Sequence, residues 1–161
     1  MSSLDFALLL IFLGTFVVVG NLNSTGIPSS IWTAIAGKRS FRTVRSVVGV
    51  AFYILLSSQL LGNVAIVVMA KPNVEPLNDA QKKYAWAVIS FVATVGGNLT
   101  ITGSAANIIV SEKVARLDPG SAIDFFKHYR VCFWVTLFST VVGTIIITLI
   151  SMLESQTKLL W

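Results

Sequence analysis

The stretch that decides the fold is GGNLTITGSAANIIVSEK, residues 96–113. It belongs to an apolar run long enough to cross a bilayer, but glycines and amides interrupt that run. Glycine is a poor helix former, and irregular backbone at membrane depth survives only inside protein or beside a watery cavity. The stretch therefore predicts an unwound segment within a membrane helix. The residues that interrupt the run are Gly96, Gly97, Asn98, Gly103, Ser104 and Asn107.

The composition is that of an all-α integral membrane protein. Of the 161 residues, 55% are hydrophobic and 12% are charged, against about 25% charged in an average soluble domain. The mean hydropathy is +0.80. The net charge of +5 comes from basic residues between the apolar runs, which suits loops that flank membrane spans. We therefore expect the lipid bilayer as a partner, and no nucleic acid.

The whole chain, residues 1–161, is predicted to be one membrane domain. We place a span at about 4–22, an interfacial helix at about 121–130 and a last span at about 131–153. The run 47–70 contains the polar interruption SSQLLGN (57–63), so it is either one straight span or two short helices that meet at a polar tip. The run 84–111 would extend ~40 Å as one helix, beyond the ~30 Å hydrocarbon core, so it either tilts or breaks.

A broken membrane helix leaves free amides and free carbonyls that can bind a solute. The N-terminus of the second half carries a partial positive charge and the C-terminus of the first half a partial negative charge. Secondary transporters use such breaks as binding sites. The alternative is that the small residues only let a neighbouring helix approach closely. Asn98 and Asn107 favour the binding site, because tight apolar packing would not satisfy their amides.

Little in the sequence indicates covalent chemistry. The lone Cys132 and the lone His128 offer no disulfide framework and no metal site, and His128 is expected to be interfacial or packed. No nucleophile–base pair and no nucleotide motif is visible, so we expect neither an enzyme nor a cofactor. The apolar runs 6–19, 47–70, 84–110 and 131–153 contain no charged side chain, which indicates an uncharged hydroxylated solute or an anion. A coupling proton or sodium ion would need a carboxylate from elsewhere.

Three segments, in this order, resemble the second half of the citrate-transporter-like ion transporters. They are DFALLLIFLGTFVVVGNLNSTGIP, LLGNVAIVVM and GGNLTITGSAANIIVSEKVA. The family includes arsenite efflux permeases, plant silicon efflux transporters and sodium/proton antiporters, and the resemblance covers residues 5–149. It implies one inverted-repeat half with scaffold helices at 6–20 and 131–153, a re-entrant helical hairpin and a broken helix.

The resemblance also implies a set of substrate-binding residues. At the hairpin tip they are Ser58, Gly62 and Asn63. In the broken helix they are Asn98, Thr102, Gly103, Ser104 and Asn107. The tip departs from the family pattern, because Gly62-Asn63-Val64-Ala65 stands where Ser-Asn, one further residue and Pro are usual.

The expected function is efflux of a small inorganic oxyacid or anion, such as arsenite or silicic acid, driven by an ion gradient. A sodium/proton antiporter or a sodium-coupled carboxylate transporter is the alternative, and a non-transporting membrane subunit or remnant is another. Because one repeat offers half a site, the chain is expected to be a fragment, or a half-transporter that pairs with a missing first repeat or a second chain. The plasma membrane is the default location.

Overall fold

The computed structural model describes residues 6–37 and 41–157 and contains no β-strand in these ranges. The prediction of an all-α membrane protein is thereby confirmed. The described elements, in chain order, are α1 (Phe6–Ser24), α2 (Ile27–Ala36), α3 (Val44–Leu61), α4 (Asn63–Val74), α5 (Asp79–Gly96), α6 (Ala105–Leu117), a 3-10 turn (Pro119–Ser121) and α7 (Phe125–Thr157).

Among the described residues, two helices are long and apolar enough to cross a membrane, namely Val44–Leu61 and Phe125–Glu154. A third span results if Leu9–Ser24 and Ile27–Ala36 count together, although the pair is bent by 70°. The bend follows from Gly26, whose φ of 72° lies in the left-handed region that glycine adopts without strain. The first span was predicted at 4–22; residues 4 and 5 lie outside the described part of the chain.

The predicted hairpin region consists of two helices, α3 and α4, that meet at Gly62. This glycine has φ 80° and ψ 158°, and its N–H donates to the Ser58 carbonyl. Its own carbonyl accepts from the Ile66 N–H, which is the first hydrogen bond of the next helix. Both helices contact α5. Of the two alternatives for this run, the structure has two helices that meet at a polar tip.

The long run 84–111 is broken rather than tilted. α5 ends at Gly96, α6 begins at Ala105, and residues 97–104 form no helix. α5 begins earlier than predicted, because Asn78 accepts a hydrogen bond from the Gln81 N–H and so caps its first turn.

The C-terminal region differs from the prediction of a separate interfacial helix followed by a span. α7 runs without interruption from Phe125 to Thr157. Asp124 stabilises its beginning, since the carboxylate accepts a hydrogen bond from the Lys127 N–H at 3.0 Å. No glycine or proline occurs between residue 125 and Gly143, so nothing ends the helix at the membrane surface.

The core forms around α5, which contacts α3, α4 and α7. Ile54 of α3, Ile66 of α4 and Ile89 of α5 are all fully buried. α6 contains no buried residue. In the apolar window of α7 only 11% of the residues are buried, so most of this helix faces outward, as expected of a helix with lipid as its solvent.

Gly143 provides a test of the contact between α5 and α7. A Cβ atom added there would lie 2.0 Å from Cζ of the Phe91 ring, whereas one added at Gly14 would meet nothing within 4 Å. We expect Gly143→Ala to lower the thermal unfolding temperature in detergent, because overpacking costs about 1–3 kcal/mol. Gly14→Ala, the control, should leave the temperature unchanged or raise it. Phe91→Leu should restore part of the loss, and equal unfolding temperatures for the two glycine variants would contradict this packing.

Candidate functional site

The two helix breaks lie side by side and share a cavity of about 110 Å³. Its walls come from the junction of α3 and α4, from the broken element formed by α5 and α6, and from α1. The breaks are about forty residues apart in the sequence (62 against 97–104). The lining residues are Ile11, Phe12, Thr15, Phe16, Leu60, Leu61, Gly62, Asn63, Val64, Ala65, Thr102, Ala105 and Ile108.

Gln59 connects the two breaks directly. Its Nε2 lies 2.8 Å from the Gly96 carbonyl, the last residue of α5. Its Oε1 accepts a hydrogen bond from the Thr100 hydroxyl at 3.0 Å. The same nitrogen lies 2.8 Å from the Leu55 carbonyl and from Ser58 Oγ. One neutral amide therefore satisfies polar groups of α3 and of the unwound segment at once.

Further hydrogen bonds fix the unwound segment itself. The Gly103 N–H donates to the Thr100 hydroxyl at 3.1 Å. Asn107 reaches back from the first turn of α6, where its Nδ2 donates to the Gly97 carbonyl at 3.1 Å and to the Thr100 carbonyl at 3.3 Å. Its Oδ1 forms no hydrogen bond within the part of the chain that the structure describes. The nitrogen of this amide therefore closes the loop, and its oxygen stays available.

Two helices begin at the cavity without a side-chain cap. α4 follows Gly62 and α6 follows Ser104, and neither residue forms a capping hydrogen bond with its side chain. Asn63 and Ala105, the first residues of these helices, both line the cavity. Each helix N-terminus leaves backbone N–H groups unpaired and carries about half a positive charge. The cavity therefore receives two sets of N–H donors.

The glycines of the broken element also serve packing. A Cβ at Gly103 would lie 2.7 Å from Gln59 Oε1 and 2.9 Å from the Gly97 carbonyl. A Cβ at Gly96 would lie 3.1 Å from Ser58 Oγ. The close approach of α3 to α5 therefore requires small residues here. The close-packing interpretation of these small residues therefore describes a real feature of the structure, and the solute-binding interpretation stays a prediction.

The structure brings only some of the predicted site residues to the cavity. Gly62, Asn63 and Thr102 line it. Ser58 is fully buried beside it and donates to the Leu55 carbonyl. Gly103 and Ser104 belong to the loop that bounds it. The Asn98 side chain is exposed. The role of these residues as ligands stays a prediction.

Sequence reasoning missed three residues that hold the site together: Gln59, Thr100 and His128. Gln59 lies within the interruption SSQLLGN, so its position next to a polar tip was a usable signal. His128 was expected to be interfacial or packed, and its Nε2 lies 3.1 Å from the Asn98 carbonyl. That contact joins residues thirty positions apart, and no sequence pattern indicates it.

The site is electrically neutral apart from its helix termini. Of the residues that the structure describes, no Asp, Glu, Lys or Arg lines the cavity. In the ranges 6–37 and 41–157, no group of three or more His, Cys, Asp or Glu side chains could hold a metal ion. What the site offers is amide and hydroxyl groups and unpaired backbone N–H donors. Such groups bind oxygen atoms of a neutral or anionic solute.

Comparison with known proteins gives relatives among curated transporters. The silicon efflux transporter LSI3 of Oryza sativa subsp. japonica is 31% identical over 154 residues, which cover 93% of this chain and 30% of that protein. A Dictyostelium discoideum protein named "Putative transporter arsB" is 30% identical over 92% of this chain and 26% of its own length. Sodium/proton antiporter 2 of Arabidopsis thaliana is 28% identical over 81% of this chain and 28% of its own length.

The chain is homologous to ion transporters. The predicted relationship to the ion transporter superfamily is thereby confirmed. The chain is a membrane protein. It spans less than a third of the length of each of these three relatives, and its correspondence to a second repeat stays a prediction. No protein-family model matches the chain, and no solved structure matches it with significance.

Removing the Gln59 amide should loosen the unwound segment. We expect Gln59→Ala to raise the rate at which a cysteine placed at Thr102 reacts with a maleimide, measured in a Cys132→Ser background. The increase should be on the order of tenfold, because two hydrogen bonds of about 1 kcal/mol each are lost. Gln81→Ala is the matched control, since that side chain is remote from the cavity. Equal labelling rates in the two variants would show that Gln59 does not hold the loop.

Proposed function

We propose that this chain forms the solute-binding part of a membrane transporter that exports a small inorganic oxyacid. The observation that carries the proposal is the convergence of two uncapped helix N-termini, those of α4 and α6, on one neutral cavity. Their N–H groups suit the oxygen atoms of a hydroxylated solute. Asn63 and Thr102 add an amide and a hydroxyl beside them.

The size and charge of the cavity favour a small, uncharged solute. Its volume of about 110 Å³ lies well below the ~300–1,000 Å³ of pockets for drug-sized ligands. Arsenious acid and silicic acid are molecules small enough for a cavity of this volume, and both are largely neutral near pH 7. A carboxylate the size of citrate is larger and needs a cationic partner, which the lining residues do not include.

The name of one relative supports the same class of solute, since the rice protein is named for silicon efflux. Because this chain spans 30% of the rice protein, the missing segment, or a second chain, would complete the binding site. It would also supply a carboxylate for a coupling proton or sodium ion. We propose the plasma membrane as the location of the protein. We also propose that it has no enzyme activity, because the transport cycle needs no covalent chemistry.

Sodium/proton exchange is the second candidate function, because one relative carries that activity in its name. A third is a membrane subunit that does not transport, in which the two breaks only pack helices together. The close approaches at Gly96 and Gly103 are compatible with it. The three candidates differ in what crosses the membrane, so a flux measurement separates them.

The experiment uses a chimera and the chain by itself. In the chimera, this chain replaces the segment of the rice silicon efflux transporter with which it aligns. Both proteins are reconstituted into vesicles loaded with arsenite or silicic acid, with and without a pH or sodium gradient. We expect the chimera to release the oxyacid faster than protein-free vesicles. Sodium/proton exchange without oxyacid release would favour the second candidate, and no flux from a correctly inserted chimera would favour the third.

Asn107 provides a sharper test within the chimera. We expect Asn107→Leu to reduce oxyacid flux by about tenfold or more, because the loop loses two hydrogen bonds of about 1 kcal/mol each. Membrane insertion and protein yield should not change. Asn73→Leu, a helical asparagine away from the cavity, is the matched control. Flux near the unsubstituted level in Asn107→Leu would mean that the closed loop is not needed for transport.

A further inference from the structure

A second, larger cavity lies at the opposite end of α5 from the unwound segment. It is a groove of about 480 Å³ between the N-terminal part of α3, the N-terminal part of α5 and the C-terminal half of α7. Its walls are mainly aliphatic, with Val44, Val47 and Val48 on one side and Ile145 and Leu149 on the other. It shares no lining residue with the cavity at the two breaks. The proposed transport function does not use it.

The position of the groove fits one leaflet of a bilayer. One end of the groove lies between Val44 and Met152. Val44 is the first residue of the candidate span Val44–Leu61, and Met152 lies near the end of the candidate span Phe125–Glu154. Along α7 it extends from Met152 to Val141, about 16 Å at 1.5 Å per residue. That length is about half of the ~30 Å hydrocarbon core. The groove therefore runs from a membrane surface to the region of the bilayer centre.

A cationic side chain stands at the mouth of the groove. Arg42 is among its lining residues, and no acidic residue is. Within the described ranges, Arg42 takes part in no salt bridge, whereas Lys82 pairs with Glu75 and Lys83 with Glu154. The mouth therefore carries an unneutralised positive charge directly above an apolar wall.

The turn that presents Arg42 is held in one conformation. Phe41 has a φ of 63°, a left-handed value that costs energy for a residue with a side chain. Its N–H donates to the buried Ser46 hydroxyl at 2.9 Å, and its ring packs edge-on against Tyr84, with 5.8 Å between the ring centroids. Strain that the surrounding contacts maintain is a common sign of a functional position.

We propose that this groove binds an anionic phospholipid, with one acyl chain between α3 and α7 and the phosphate on Arg42. A guanidinium binds phosphate oxygens bidentately, and the aliphatic walls accept a chain that has no hydrogen-bonding groups. A further protein helix fits less well, because close helix contacts in membranes need small residues. The walls here are mainly Val, Ile and Leu, although Thr144 and Thr148 lie among them, and the small side chains Ala80 and Ser151 lie near the mouth.

The test compares two photoactivatable lipids in nanodiscs that contain the purified full chain. Phosphatidylglycerol and phosphatidylcholine probes carry the same diazirine-labelled acyl chain, so they differ only in head-group charge. We expect both to label the groove walls, and phosphatidylglycerol to do so about fivefold more, the effect of one basic residue near an anionic lipid. Arg42→Gln should abolish this preference. Arg45→Gln, three residues further along the chain and outside the groove, should keep it.

A second pair of variants tests the apolar part of the site. Ile145→Trp should fill the groove and reduce labelling by both probes, whereas Val142→Trp, which does not line the groove, should not. Equal labelling by the two probes in the unsubstituted protein, or a preference that Arg42→Gln leaves intact, would overturn the proposal in favour of non-selective annular lipid. Walls that neither lipid labels, but that crosslink to another polypeptide, would also overturn it and identify a protein occupant.

Discussion

The structure depends on one constraint, which is that a polypeptide in hydrocarbon must pair its own backbone amides and carbonyls. Each of the two helix breaks would leave backbone amides and carbonyls unpaired if it stood alone in hydrocarbon. Here they lie against each other, and Gln59 on one break satisfies the Gly96 carbonyl and the Thr100 hydroxyl of the other. Each break is therefore tolerated because the second one is present. The first N–H groups of α4 and α6 remain unpaired, and they face a shared cavity.

The choice of a neutral amide at the centre of this arrangement has an energetic reason. A charged side chain at bilayer depth is costly unless it is paired, whereas an amide has donors and an acceptor that local groups can satisfy. The Gln59 amide nitrogen lies against the Gly96 carbonyl, and the amide oxygen accepts a hydrogen bond from the Thr100 hydroxyl. Because the side chain carries no charge, it does not neutralise the positive ends of α4 and α6. The unpaired backbone N–H groups therefore give the cavity its positive potential, and the Asn63 and Thr102 side chains add neutral polar groups.

The two breaks were predictable from sequence because their causes are local. Gly62 and the Gly96–Gly97 pair are weak helix formers in otherwise apolar runs, and the structure interrupts the helix next to each. The continuity of α7 was not predicted, because the charged residues before residue 131 suggested a separate helix at the membrane surface. The helix continues because no glycine or proline interrupts it before Gly143. The contacts of Gln59, Thr100 and His128 depend on which helices become neighbours, and such tertiary information is not contained in any local pattern. For the same reason the sequence did not indicate that Gly62, Asn63 and Thr102 share one cavity while Asn98 points outward.

The way α7 attaches to α5 limits how the domain can move. At one end, His128 of α7 contacts the Asn98 carbonyl in the unwound segment that follows α5. Near the other end, the Tyr84 and Thr148 hydroxyls form a hydrogen bond of 2.7 Å between the two helices. Between them the Phe91 ring lies against Gly143. Contacts spread along a whole helix pair resist both sliding and hinging, since either motion breaks all of them together. α6, by contrast, has no buried residue and is tied to the loop before it through Asn107. A displacement of α5 against α7 would therefore break more contacts than one that carries α5 and α7 together.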